Sequence, residues 1–328
     1  MYLNYLVEKA KKTLQSNKNA ILISWKRRPP VSVPTTPKPT TPKPTTPKPT
    51  TPKPAPISKP PAAIEHLLND PTTPDLVRME SEPPQSSQSN YVVKGYKGGG
   101  HSKGSIEYQA ANVYVTIGET INYINSVSEF KIPHWRRTNQ LSVFPRAGFD
   151  LNAFYDGRSL QFFYVNDSRT GLIFAADATD ITSHECGHSI LDSFRPDLWS
   201  VPFLEVGAFH ESFGDFCSLM HALNHDEMIN KAIQETGGDL SKSNVISRLA
   251  EQFGKAIFQI DPVGRNPDYL RNAINSFKYV DPSKLPANAI DSTLAAEVHS
   301  FSRIFTKTMY DIFFMIFKDQ KDSGIDPL

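Results

Sequence analysis

The sequence predicts an α+β body preceded by a disordered Pro/Thr-rich arm, and three observations carry that expectation. Short β-type runs are confined to residues 140–165, helical periodicity occupies residues 108–128 and nearly everything after Thr179, and prolines crowd the first third of the chain. Strands gathered in one stretch and helices in another argue for segregated α and β structure rather than alternating βαβ units. The 328 residues are 39% hydrophobic and 11% aromatic, enough for a sizeable core. No apolar run reaches the roughly 18 residues that read as a spanning helix.

The net charge of +1 conceals two unlike parts: residues 1–61 carry +11 and the remainder −10. An acidic body has little with which to neutralise phosphates, so no nucleic acid is expected as a partner. The two cysteines, Cys186 and Cys217, are too few for a disulfide framework or a Cys-rich zinc module.

Residues 1–28 form a basic arm whose first half fits a short amphipathic helix, with Leu3, Leu6, Val7 and Ala10 on one side. Its apolar stretch, residues 20–25, is shorter than a signal-peptide core and precedes the basic cluster, so no clear signal peptide is read. A solvated arm is the plain reading, and attraction to an anionic membrane surface the functional one. Residues 29–105 read as a linker rich in Pro, Thr, Ser and Gly, with TTPKP repeated four times in register over residues 35–54. Proline fixes φ and removes the amide donor, which makes the repeats an extended spacer of about 3.1 Å per residue. Their PxxP spacing also suits an SH3- or WW-type contact. A stiff stalk leans toward an exported or cell-surface location, which the missing signal leaves open. A short helix is expected near residues 64–68, and the ordered body is placed at residues 106–328.

Within the body, residues 108–128 predict a helix buried along Ala111, Val115, Ile121 and Ile124. Strands follow at residues 140–144, 152–155 and 160–165. Asp156-Gly157 separates the last two and signals a hairpin, hence a small antiparallel sheet.

The chemistry concentrates in residues 179–194, TDITSHECGHSILDSF. His184 and His188 lie one helical turn apart, so both imidazoles reach one metal ion. Glu185 sits beside them as a carboxylate free to handle a proton, completing H-E-x-x-H. Gly187 costs about 1 kcal/mol against Ala inside a helix and is tolerable where another backbone approaches closely. Cys186 and Cys217 read as small buried residues on neighbouring helices. A hydrolytic zinc site needs a third protein ligand and an open position. Residues 203–224 offer Glu205, His210, Glu211, Asp215 and His221, among which spacing does not choose.

The segment GAFHESFGDF, residues 207–216, resembles the third-ligand helix of the thermolysin-like metallopeptidases, with pattern G-A-x-N-E-x-x-S-D-x-F. The resemblance implies Glu211 as third ligand, with Asp215 and Asp192 as carboxylates that orient the liganding histidines. NAFYDG, residues 152–157, resembles that family's N-A-F-W edge strand, implying that Asn152 and Ala153 bind peptide main chain and that Tyr155 replaces the tryptophan. EVHSFSRIFTKTMYDIF resembles the V-H-x-x-S segment, which makes His299 a transition-state hydrogen-bond donor. Val298, Phe301, Phe305, Met309 and Phe313 supply the buried stripe of its helix. The similarity spans about residues 108–318. It implies a small antiparallel sheet lobe, a mostly helical lobe, one catalytic Zn²⁺ on His184, His188 and Glu211, and Glu185 as general base. The implied activity is zinc-dependent hydrolysis of a peptide or protein substrate by an activated water. No GxMEN-type amino-terminus anchor is seen, so endopeptidase is preferred over aminopeptidase.

The sequence departs from the family at several positions. His210 and Gly214 stand where the family has Asn and Ser. Leu294 replaces the acid that orients the downstream histidine, leaving Glu297 or Asp291 to do so. The active-site tyrosine has no match, Trp199 and Tyr310 being the nearest substitutes. Of the calcium ligands only Asp180 matches, so calcium is not expected. These departures keep two alternatives: a zinc-binding pseudopeptidase, and an interaction protein acting through its Pro-rich arm. His134, His221 and His225 read as structural or surface residues rather than ligands.

Overall fold

The helix α1 (Ile106–Val127) starts where Ser105 caps it by accepting the Tyr108 amide. The computed structural model describes residues 64–80, 90–98, 101–128 and 131–323. The basic arm and the TTPKP repeats therefore lie outside the described residues. The expected face of α1, at Ala111, Val115, Ile121 and Ile124, is buried. It packs under a four-stranded sheet built from β3 (Tyr91–Val93), β4 (Leu141–Phe144), β5 (Ala153–Tyr155) and β6 (Ser159–Phe162), in the order β3-β4-β6-β5.

That sheet corrects the expectation of an antiparallel lobe. The pairs β3–β4 and β4–β6 are parallel, and only β5–β6 is antiparallel. The reason is β3, which the Ser- and Gly-rich composition hides within the expected linker. A parallel neighbour needs a long crossover, and α1 supplies it between β3 and β4. The Asp156-Gly157 hairpin forms as read: Gly157 has φ +87°, and the Asp156 carboxylate accepts the Arg158 and Ser159 amides. A second hairpin, β7 (Tyr164–Asp167) and β8 (Gly171–Phe174), follows.

The linker assignment of residues 29–105 also needs correction over its described part. Residues 64–68 contain no helix. They lie in β1 (Ile64–Leu67) and just beyond it, and β1 pairs antiparallel with β2 (Val77–Glu80). Ile64 packs on Ala111 and Val115 of α1, while Leu68 and Leu76 enter the core of the helical lobe. The buried Asn112 side chain accepts the Leu67 amide and donates to the Ala176 carbonyl. Pro71 and Pro74, which suggest a linker by composition, occupy the turn between the strands. Few apolar residues suffice here because other elements, not the hairpin itself, supply the partner surface.

The helical lobe comprises α2 (Thr179–Phe194), α3 (Leu204–Leu223), α4 (Asp226–Thr236), α5 (Glu251–Ile260) and α6 (Val298–Asp322). The helices α2 and α3 approach through glycines: a Cβ on Gly187 would lie 2.9 Å from Gly214 Cα. Likewise a Cβ on Gly207 would lie 2.7 Å from Val298 Cγ1, which seats the start of α6 against α3. Contrary to the helical periodicity expected nearly throughout after Thr179, residues 261–297 are not helical apart from one short turn. They hold Pro262, Pro267, Pro282 and Pro286, and the two-residue strand β10 (Arg271–Asn272) pairs with β9 (Arg248–Leu249). Among the described residues no helix is long and apolar enough to cross a membrane.

Candidate metal centre and its cleft

His184 and His188 project from one face of α2 with their rings 4.7 Å apart, as the i, i+4 spacing requires. The close glycine contact brings α3 near enough for Glu211 to face both. His184 Nε2 lies 3.3 Å from Glu211 Oε2, and His188 Nε2 lies 3.7 Å from Glu211 Oε1. His299, at the start of α6, puts its Nε2 3.5 Å from Glu211 Oε2. Glu185 is buried beside them, with Oε2 lacking any hydrogen-bond partner.

The electrostatics suit a cation. Burial pulls His184 down, but hydrogen bonds to Asp215 and Glu211 outweigh it and raise the imidazole to about 10. Burial pushes His188 down to about 3, leaving a neutral ring with a free lone pair. Burial opposes ionisation of Glu211, yet the imidazoles of His188 and His184 around it hold it well below the usual carboxylate range. Glu185 is pushed up to about 7 by burial, with His184 opposing and Glu211 adding. Two imidazoles and a carboxylate within these distances, with Glu185 Oε2 unpartnered beside them, fit a tetrahedral zinc donor set with a side left for water.

Second contacts hold the donors in place. Asp215 Oδ1 accepts from His184 Nδ1 at 3.0 Å and from Arg271 Nη2 at 2.7 Å, and Asp215 Oδ2 accepts from Thr306 at 2.7 Å. His188 Nδ1 pairs with His210 Nδ1 at 2.9 Å, so His210 does for His188 what Asp215 does for His184. Gly214 is required here, because a Cβ on it would sit 2.7 Å from the His184 ring. The residue at 214 is thus decided by ring packing rather than by hydrogen bonding.

Asp192 takes a different place from the one expected. Its carboxylate accepts from Tyr155 Oη and Arg136 Nη1, both at 3.0 Å, and from no histidine. It anchors the strand β5 to α2, because His210 already occupies the outer nitrogen of His188. Of the two acids proposed for His299, Glu297 makes the contact, at 2.6 Å to Nδ1; Asp291 instead accepts the Asn266 amide and pairs with Arg265. Tyr310 lies far from the cleft chemistry, donating to the Leu240 carbonyl in the second core. Trp199 does reach the site, edge-on to Tyr155 and His210 at ring separations of 5.4 Å. Asp180 receives the Ala250 and Ile181 amides.

Arg271 is the functional residue the sequence reading misses. It comes from β10 in a Pro-rich, non-helical stretch, lines the cleft and braces Asp215. No local pattern marks it; the only signal is that a buried Asp215 beside a ligand histidine needs a counter-charge.

His184, Glu185, His188, His210, Glu211 and Asp215 open onto a cleft of about 560 Å³ bordered by Asn152, Ala153, Tyr155, Trp199, Arg271 and His299. The strand β5 is the edge of its sheet and forms one wall. No protein-family model and no curated protein matches the chain. Among solved structures it is similar to the precursor of protealysin, a metalloproteinase from Serratia proteamaculans, with 15% identity and a TM-score of 0.30 over 44% of this chain and 47% of that one. The chain thus spans about half the length of that protein. So loose a likeness leaves the chemistry to rest on the site's own geometry.

Proposed function

We propose that the chain is a zinc-dependent endopeptidase. The observation that carries this is that Glu211 faces both His184 and His188 at 3.3 and 3.7 Å, with the unpartnered Oε2 of Glu185 beside them in an open cleft. Zinc held by the three donors would polarise the scissile carbonyl and make water acidic enough to attack at neutral pH. Glu185, pushed up to about 7 by burial, takes the proton of the attacking water and passes it to the leaving amine. His299, kept protonated by Glu297, donates to the oxygen on which charge develops. Arg271 and Thr306 hold Asp215, and through it the His184 ring.

The substrate class follows from the wall of the cleft. An extended peptide pairs with an exposed strand edge, which here is β5, with the Ala153 main chain and the exposed Asn152 side chain offered to the peptide backbone. A cleft open along that edge accepts chain on both sides of the scissile bond, which favours endopeptidase action.

Replacement Glu185→Gln in the full chain is expected to retain zinc and abolish cleavage of an unfolded protein substrate. Retained turnover in that variant would overturn the assignment. One observation supports the pseudopeptidase reading: Tyr155 is the sole tyrosine lining the cleft among the described residues, and its hydroxyl is engaged with Asp192. Stoichiometric zinc without any cleavage by the wild type would select it.

A further inference from the structure

We propose that His66, Glu119, His221 and His225 form a second metal site, which takes a divalent transition ion of the zinc class and fastens the N-terminal hairpin to the helical lobe. The four donors come from four elements: β1, α1, the end of α3, and the residue that precedes α4. His221 Nε2 and His225 Nε2 lie 3.0 and 3.6 Å from Glu119 Oε2, and His66 Nε2 lies 3.9 Å from Glu119 Oε1. Donors held at 2.0–2.1 Å around a tetrahedral zinc ion stand about 3.3 Å from one another. Glu119, His221 and His225 offer ligand atoms that all lie within 4.8 Å of one another, and His66 approaches the other oxygen of the same carboxylate.

Burial supplies the independent argument. His66 is 0%, His225 1% and His221 3% exposed. Both ring nitrogens of His66 and Nε2 of His225 lack any hydrogen-bond partner. Buried polar atoms are rarely left so, and here three of them belong to one cluster, two of which, Nε2 of His66 and Nε2 of His225, face one carboxylate. Three imidazoles with one carboxylate are a donor set suited to zinc and its neighbours rather than to calcium or magnesium.

None of the four residues lines the catalytic cleft, and a site closed by four protein donors is structural rather than catalytic. One neighbour must adjust. Arg78 Nη1 lies 3.3 Å from His225 Nδ1, and an ion on Nε2 leaves the proton on Nδ1. Arg78 is exposed on β2 directly opposite His66, so its side chain turns to solvent when the ion binds.

The experiment is metal content of the full chain, purified without chelator, supplied with Zn²⁺ and desalted, then read by mass spectrometry. Two ions per chain are expected in the wild type, one in His66→Leu, one in His188→Ala and none in the double variant. The remaining ion of His66→Leu should support normal cleavage. A single ion that persists in His66→Leu and disappears in His188→Ala overturns this site and leaves the proposed peptidase standing. A single ion with the opposite behaviour sustains this site and sinks the peptidase; no ion in the wild type sinks both. Should His66→Leu not fold, X-ray absorption on His188→Ala loaded with one Zn²⁺ decides. Three imidazoles with one carboxylate oxygen support the site, and any other first shell overturns it.

Discussion

The helix α3 carries one member of each histidine–carboxylate cluster, Glu211 near its middle and His221 near its end. At 1.5 Å per residue they are about 15 Å apart. The donor types are the same, but the surroundings differ. His299 beside Glu211 has a side chain 57% exposed and opens onto the cleft, whereas His66 beside Glu119 is 0% exposed. The lesson is that donor chemistry does not distinguish reaction from reinforcement. Access does, since a reacting site needs one side for water and substrate. The two clusters also differ in what orients them. Asp215, Arg271, Thr306 and His210 brace the first, while ring atoms of His66 and His225 go unpartnered in the second.

The largest effect should separate the clusters outright. Glu185→Gln is expected to lower kcat by about 10²–10⁴-fold, the usual worth of a positioned base, with metal content and thermal stability unchanged. A loss of zinc from this variant would show that Glu185 is a ligand instead.

Gly214→Ala comes next, because its methyl must occupy space 2.7 Å from the His184 ring. Displacing a reacting group by about 1 Å costs roughly 10²-fold. The expected outcome is weakened zinc affinity and activity at the first cluster only. Unchanged zinc affinity would mean that α3 withdraws from α2 without disturbing the donors.

A smaller effect sharpens the role of His299. Its Glu297 hydrogen bond raises it above the ordinary imidazole value, burial opposing and Glu211 adding. Burial works against ionisation of Glu297, but its bonds to His299 and to the amides of His299 and Ser300 bring it down to about 2, so it is ionised throughout the working range. As a donor His299 must be protonated, so activity is full below its pKa and is lost as pH rises through it. Glu297→Gln removes the carboxylate, lowers that pKa and should move the alkaline limb of kcat/KM to lower pH. A limb that stays in place would assign it to another group.

The mildest test addresses the second cluster. In zinc-loaded chain, His66→Leu should lower Tm by about 2–4 °C for each 1 kcal/mol lost, with KM and kcat unaltered. An unchanged Tm would show that the hairpin is held by Ile64, Leu68 and Leu76 without help from His66.

Much of the first cluster was legible in the residues because its information is local. His184, Glu185 and His188 fall within five positions of one helix, and helical geometry alone aligns the two rings. The same holds for the buried face of α1 and for the Asp156-Gly157 turn, where a positive φ selects glycine. Choosing Glu211 over its neighbours took the resemblance of a ten-residue segment, since spacing left five possibilities. Asp192 was misplaced because an acid one turn beyond a ligand reads the same whether it faces that ligand or, as here, Tyr155 and Arg136.

What the sequence by itself determined, then, is what periodicity and turn chemistry encode: the helices over residues 108–128 and 179–194, where the hairpin turns, and that two imidazoles and a carboxylate share a helix. Only the tertiary structure decided which distant groups meet. Arg271 reaches Asp215 across 56 positions, Asn112 receives β1 across 45, and Glu119 faces His221 across 102. The composition of residues 64–78 and 91–93 resembled a linker because their few apolar side chains bury against other elements. A segment whose core is supplied by the rest of the chain carries no periodic signature of its own, and its place is set by packing and by satisfying buried polar groups.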